Sequence, residues 1–108
     1  MKPWDIYTYD FERAGPHPAV IVSHPDRVTH ADWLNVLICT SHRANRLPKE
    51  TEVPLNAADG LDWETLCRCD VLWLVEKSKL TDKRGSVSRI RRRQIVDKIN
   101  AAMGWKLI

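Results

Sequence analysis

Three adjacent residues in the middle of the chain, Arg68-Cys69-Asp70, have the types and spacing to handle a phosphate. Side chains of a strand alternate sides. An extended stretch over 65–70 therefore turns Arg68 and Asp70 to one surface and the thiols of Cys67 and Cys69 to the other. A guanidinium can hold two phosphate oxygens at once, and a carboxylate beside it can take or orient a proton. The same pair is also a common structural ion pair, worth ~0–1 kcal/mol when exposed. Upstream, Cys39-Thr40-Ser41 closes an apolar run with two hydroxyl residues, which suit either strand-end capping or hydrogen bonds to a phosphate. Cys67, Cys69 and Cys39, with four histidines, raise the question of zinc. Structural zinc sites space paired ligands by two to four residues and match them with a second pair. No second pair exists in this sequence, so the cysteines read as small buried hydrophobes, and neither a metal nor another cofactor is expected.

The elements that must position these residues are short. Residues 4–9, with Trp4, Ile6, Tyr7 and Tyr9, read as a strand from their aromatic and β-branched content. Glu12 to Pro18 reads as a turn region around Gly15. Ala19 to Ser23 is a continuous apolar run of the kind a buried strand shows, ended by Pro25. Trp33 to Thr40 is a third strand, followed by a polar loop from Ser41 to Lys49. Glu52 to Leu55 is a fourth, and Pro54 makes it an edge candidate. Asn56 to Asp62 is a turn stopped at Asp59-Gly60. Leu66 to Asp70 and Leu72 to Glu76 form the last strand pair, or one bent strand, and Ser78 to Leu80 a short helical turn. Ser88 is a plausible N-cap for a final helix. Ile95, Val96, Ile99, Ala102 and Met103 make its apolar stripe, and Gly104 ends it. Several short strands followed by one helix predict a small, strongly curved barrel with a helix packed on it. Trp4, Trp33, Trp63 and Trp73 lie in or beside the predicted strands, where core or dimer packing is the default reading.

Composition sets the class. At 108 residues, 44% hydrophobic and 29% charged, the chain suits one globular domain, residues 1–108, with a modest core. No apolar stretch approaches the ~20 residues of a membrane helix, and the first residues lack the apolar run of a signal peptide. A cytoplasmic protein with reduced thiols is the expectation. Charge is unevenly spread. Up to residue 76 there are seven basic and twelve acidic residues, a net −5, whereas residues 77–108 carry ten basic and two acidic, a net +8. A basic half suits an anionic partner such as nucleic acid or an acidic protein segment, or forms a solvated helix face. Arg91, Arg92 and Arg93 lie in the early turns of the predicted helix, where the dipole gives them nothing.

The order of motifs adds a resemblance. Trp4-Asp5-Ile6-Tyr7, the run from Gly15-Pro16-His17-Pro18 through Ser23, Cys39-Thr40-Ser41, Glu52-Val53-Pro54-Leu55, Arg68-Cys69-Asp70 and Lys83-Arg84-Gly85 before a terminal helix together resemble the MazF/PemK family of toxins from toxin–antitoxin pairs. The Arg-Cys-Asp run resembles its PemK/Kid branch. The resemblance implies an SH3-like barrel of the CcdB/PemK type, mainly β with a C-terminal helix, working as a homodimer. It implies a metal-independent endoribonuclease that cuts single-stranded mRNA by attack of the ribose 2′-OH, leaving a cyclic phosphate and a 5′-hydroxyl. It also implies a small acidic antitoxin as partner, and no membrane.

Matched residue by residue, the family's Gly-x-Arg-Pro falls on Gly15-Pro16-His17-Pro18, so the position of its catalytic arginine is His17. Its Thr-Ser pair falls on Thr40 and Ser41, and its Arg-x-Asp on Arg68 and Asp70. Trp4 stands where the family normally has Gly, Ile38 where it has Pro, and Val71 where a Gln often follows the Asp. Cleavage by a 2′-OH needs a base, an acid and cations around the phosphate. The imidazole of a histidine changes charge near neutral pH and suits acid–base work better than a guanidinium. His17 is accordingly expected to act as acid or base, Asp70 as base or orienting group, Arg68 as electrostatic clamp and Thr40 as donor. Arg13, Ser41, Arg43 and Arg46 are expected to flank the RNA. The replacement of Arg by His17 also opens a second reading, a non-catalytic module of the same fold that binds RNA or an antitoxin-like partner. Gyrase inhibition of the CcdB kind is a third, for which these motifs give no reason.

Overall fold

A computed structural model describes residues 1–41 and 46–105. The strands are β1 (Asp5–Asp10), β2 (Pro16–Ile21), β3 (Trp33–Ser41), β4 (Glu52–Leu55), β5 (Thr65–Arg68), β6 (Trp73–Glu76) and β7 (Thr81–Ser86). Helix α1 (Pro25–His30) lies between β2 and β3, and α2 (Arg89–Met103) closes the described chain. Among the described residues all strand pairings are antiparallel, in the order β4-β5-β3-β2-β1-β7, with β6 paired to β3 alone.

The nine-residue β3 is the pivot. Its first half pairs with β6 (Trp33 opposite Glu76, Val36 opposite Trp73). On its other edge Val36 to Ile38 pair with β2. Its last residues, Cys39 to Ser41, pair with β5. One strand serving different partners along its length curls the sheet into a half-barrel. Each face carries its own core. Ile6, Val20, Leu37, Cys39, Val53, Leu55, Cys67 and Cys69 cluster on the inner face, covered by Ile95 of α2. Ala19, Ile21, Leu34, Val36 and Ile38 cluster on the outer face with Phe11, Val28 and Val75.

Several expectations are corrected. The predicted turn over Glu12 to Pro18 ends sooner, in a 3-10 turn at Glu12–Ala14. Pro16 and Pro18 already belong to β2, and Tyr9 pairs with His17. Pro25 opens α1 rather than merely ending a strand, because proline tolerates the first helical turn, and the His24 ring accepts the Asp26 N–H there. β5 and β6 are not partners, and each pairs with a different part of β3. β7, rich in charge, was missed. It pairs with β1, and its Gly85 lets the chain cross Asp59-Gly60, since a Cβ there would lie 2.1 Å from the Asp59 carbonyl oxygen. Trp33, Trp63 and Trp73 are exposed rather than core, while Trp4 packs partly against the inner core. The stripe of α2 is narrower than expected, with Ile95 buried, Ile99 half-buried and Val96 exposed.

Other features agree. β4 is an edge strand, so Pro54 interrupts no inner ladder. Ser88 is the N-cap residue of α2, though its side chain makes no capping bond, and Gly104 ends the helix in the left-handed region. The N–H of Ser88 is instead taken by Asp59 Oδ1 at 2.8 Å. Asp59 is 1% exposed, and its other oxygen accepts from Asn56 N–H at 3.0 Å. One buried carboxylate thereby ties the start of α2 to the turn before β5.

Candidate functional site

The strand alternation read from the sequence holds as far as Arg68, where β5 ends, and Asp70 lies on the bend just beyond it. Cys67 and Cys69 are fully buried in the inner core, while Arg68 and Asp70 point the other way and pair at 3.3 Å. Hydrogen bonding with the Cys39 and Cys69 thiols, then burial, pushes the Cys67 thiol well up. It is protonated and inert, a spacer behind the charged pair. The Arg68–Asp70 contact is long and partly solvated, with 44% and 33% of the two side chains exposed. One oxygen of the pair, Asp70 Oδ1, is shielded from solvent and has no hydrogen-bond partner among the described residues. A carboxylate oxygen in that state is a shielded acceptor whose hydrogen-bonding capacity is unmet within the described residues.

The register carries Thr40 and His17 to the same face. Cys39 sits opposite Cys67, so the neighbours Thr40 and Arg68 both face away from the inner core. Ala19 sits opposite Ile38, and both belong to the outer core. Two residues further along each strand lie His17 and Thr40. The strand of Thr40 stands between the strand of His17 and the strand of Arg68. Among the described residues no hydrogen bond or ion pair joins His17 or Thr40 to Arg68 or Asp70. Instead His17 Nε2 lies 2.9 Å from the Ala14 carbonyl oxygen. A carbonyl only accepts, so Nε2 carries the hydrogen, and Nδ1 is left outside this bond. This bond fixes the ring against its own turn and sets its tautomer.

The flanking residues differ in state. Ser41 is half-buried and Arg13 is exposed on the turn after β1. Arg43 lies outside the described residues. Arg46 is committed within the fold. It donates two bonds to Glu52, at 2.8 and 2.9 Å, and Lys49 N–H adds a third at 2.7 Å. Glu52 is 4% exposed, and the Arg46 bonds hold its carboxyl at about 2, below the ordinary value of 4.5. Nothing in the sequence singled out Glu52. Its only signal was its place on a predicted strand, ahead of an apolar pair. An aromatic ledge was also missed, in which Phe11 meets Tyr9 and Trp73 edge to face at 4.8 and 5.3 Å. Tyr9 is the cross-strand neighbour of His17. Three arginines of α2, Arg91, Arg92 and Arg93, are answered locally. Arg92 Nε donates to the Val87 carbonyl at 2.8 Å, Arg91 bonds Gln94 and Arg93 pairs with Asp97. Among the described residues no group of three or more His, Cys, Asp or Glu side chains is arranged to hold a metal ion.

A family model described as PemK-like, MazF-like toxin of type II toxin–antitoxin systems matches residues 2–103. The chain belongs to this family. Structures of MazF-like toxins share its fold. An endoribonuclease in complex with its cognate antitoxin from a mycobacterial species has a TM-score of 0.83 at 22% identity, with 100% of this chain and 99% of that one covered. Mycobacterium tuberculosis toxin MazF-mt6 gives 0.80 at 18% identity, covering 95% and 99%. MazF in a MazE–MazF structure from Deinococcus radiodurans gives 0.73 at 15%, covering 98% and 97%. No curated protein matches the chain by sequence. The MazF-like fold therefore supplies the face on which Arg68, Asp70, Thr40 and His17 stand. No helix among the described residues is long and apolar enough to cross a membrane.

Proposed function

We propose that this MazF-like toxin is an endoribonuclease that cuts single-stranded mRNA by attack of a ribose 2′-OH on the adjacent phosphate. The observation that carries this reading is the Arg68–Asp70 pair, loose enough to exchange a carboxylate for a phosphate and set on the same face as Thr40 and His17. Asp70, whose Oδ2 holds the long 3.3 Å contact to Arg68, takes the hydroxyl proton on that oxygen. The attacking oxygen then bonds phosphorus and the bond to the 5′-oxygen breaks. Arg68 stabilises the charge that builds on the non-bridging oxygens, helped by the Thr40 hydroxyl. His17 stands for the family's arginine and, as an imidazolium, gives its Nδ1 proton to the leaving 5′-oxygen while Nε2–H stays on the Ala14 carbonyl. Ser41, Arg13 and Arg43 guide the strand.

The protein works as a homodimer and is silenced by a small acidic antitoxin. The dimer reading is supported by β6. Among the described residues this strand is paired on one side only, and Val71, Leu72, Trp73 and Leu74, with nearby Trp33, are exposed. Unprotected apolar edges of this kind invite pairing with another chain. One observation favours a second reading, a binding module without catalysis: His17 bonds its own turn rather than the Arg68–Asp70 pair. Incubating the purified protein with a long mRNA in the presence of a chelator separates the two. Discrete fragments ending in cyclic phosphate support the nuclease. Binding without fragments supports the module.

A further inference from the structure

Three thiols meet in the inner core beneath the Arg68–Asp70 pair. Cys39 on β3 stands directly opposite Cys67 on β5. The Cys67 thiol is in hydrogen-bond contact with the thiols of both Cys39 and Cys69, and the Cys69 thiol also lies 3.6 Å from the Cys67 carbonyl oxygen. All three cysteines are free and buried. Apolar packing explains each of them singly, but the register does more. Directly opposite residues of an antiparallel pair have Cα atoms about 4.5–5.5 Å apart, inside the span of about 4.4–6.8 Å that a disulfide bridges. Cys67 and Cys69, two residues apart along extended chain, are separated by about 6.6 Å, at the far limit of that span. The backbone therefore presents one pair for bonding, Cys39 with Cys67.

Two features let a small reagent reach this buried pair. On the other edge of β5, with Val53 opposite Cys67, lies β4, a four-residue edge strand. A short edge element opens locally without unfolding the whole domain. A notch of about 190 Å³ also lies where the last turns of α2 meet the chain just before β4, between Ala102 and Thr51. The Thr51 carbonyl takes the Cys69 N–H at 2.9 Å, so a molecule the size of water in the notch stands beside the backbone of the cluster. Each cysteine of the pair is also tied to the phosphate-handling face, since Thr40 follows Cys39 and Arg68 follows Cys67.

We propose that Cys39 and Cys67 form a reversible disulfide under peroxide, and that this bond displaces Thr40 and Arg68 and weakens their grip on RNA. In the locally opened state one sulfur of the pair attacks hydrogen peroxide. The O–O bond breaks, leaving a sulfenic acid and one water. The second sulfur displaces the hydroxyl as another water, and the S–S bond forms. Each thiol proton leaves with a hydroxide as water, so two thiols are oxidised and one peroxide is reduced. Sulfurs now in hydrogen-bond contact must come to about 2.0 Å, which draws β3 and β5 together directly behind Thr40 and Arg68. A dithiol reductant reverses the bond by exchange. Burial and the raised Cys67 thiol make the reaction slow, so the bridge accumulates only under sustained oxidant. The bond itself is independent of the nuclease reading, whereas its effect rests on this face binding RNA, as both readings above require.

Treating the purified full chain with hydrogen peroxide, then denaturing, alkylating and weighing it, tests the site. The oxidised chain should be lighter by two hydrogens before alkylation, carry one alkylated thiol, and yield a cross-linked peptide joining Cys39 to Cys67 on digestion. Dithiothreitol should restore three alkylatable thiols. RNA affinity of the oxidised chain should fall about tenfold, the scale of one misplaced charged hydrogen bond, and recover with the reductant. Cys39→Ala and Cys67→Ala should each lose the bridge and keep their RNA affinity under peroxide, and either variant serves if the other fails to fold. Cys69→Ala should keep the bridge. Three free thiols after peroxide, a Cys67–Cys69 link, a link between chains or a sulfinic acid overturns the proposal. So does a Cys39–Cys67 bridge that leaves RNA affinity unchanged, or an equal loss of affinity in Cys67→Ala. A protein that binds RNA in this redox-dependent way without cutting it counts against the nuclease alone, and cleavage without a bridge counts against the disulfide alone.

Discussion

Glu52 and Arg68 stand directly opposite each other across the β4–β5 ladder, yet each is paired elsewhere. Glu52 is held by Arg46 and by the Lys49 N–H, and Arg68 by Asp70. The buried carboxylate is already satisfied, so it does not tie down the cation across from it. Among the described residues Arg68 keeps only a long, half-solvated contact, and it can turn to an incoming phosphate.

The Glu52 pairing predicts acid sensitivity. Its carboxyl sits at about 2 in the fold against an ordinary 4.5. A depressed pKa contributes stability that is complete above the unfolded value and fades as pH falls toward the folded one. Denaturant melts should therefore show stability dropping between about pH 5 and pH 2. Glu52→Gln should lose about 2 kcal/mol at neutral pH and flatten that slope. An unchanged slope in the variant would assign the acid sensitivity to other groups.

Arg68→Ala should cut RNA about a hundredfold more slowly, the scale of losing one electrostatic clamp. Its stability should change by less than about 1 kcal/mol, because the lost ion pair is half exposed. Single-turnover cleavage and thermal melting of the same preparation check both. Slow cleavage with a large fall in stability would instead make Arg68 a structural residue.

For His17 the informative pair is His17→Ala and His17→Arg. Loss of cleavage in the alanine variant is expected if the ring serves the leaving oxygen, and full recovery in the arginine variant would assign it a charge-stabilising rather than a proton-donating part. The alanine variant also loses the bond to Ala14, so the melting temperature must be read alongside. Full activity in a folded His17→Ala protein removes the ring from the chemistry.

Leu74 is 59% exposed on a strand with one unpaired edge. Leu74→Asp should halve the mass seen by sedimentation equilibrium without lowering the helical signal in circular dichroism. Stable interfaces bury about 1,200–2,000 Å² in total, and a charge inside one is strongly unfavourable. A variant with the wild-type mass would move the dimer surface away from β6.

The parts of the molecule that were legible in the sequence are those governed by local periodicity. β3, β4 and α2 follow from apolar runs, proline and glycine at their ends, and the facing of Arg68 against Cys67 follows from strand alternation. The missing parts are set by long-range contacts. β7 carries Lys83 and Arg84 on a strand whose pairing with β1 supplies the stability that its composition does not. α1 is only six residues long, too short for a helical period to show. Asp59 looks like an ordinary turn residue until its second oxygen meets Ser88, far along the chain. The shared face of His17, Thr40 and Arg68 depends on the order of β2, β3 and β5, which no spacing in the sequence encodes. That Arg46 serves the fold follows from the burial of Glu52, which a polar loop and a short strand do not announce.

The account depends most on the 2′-hydroxyl as nucleophile at a phosphate held by Arg68. Once a cut site is mapped, the same RNA should be made with a single 2′-deoxynucleotide immediately 5′ of the scissile phosphate. The account predicts that cleavage at that position disappears, while binding and cleavage at other sites persist and the unmodified RNA yields a cyclic phosphate end. Continued cutting of the deoxy-substituted strand at the same bond would contradict it.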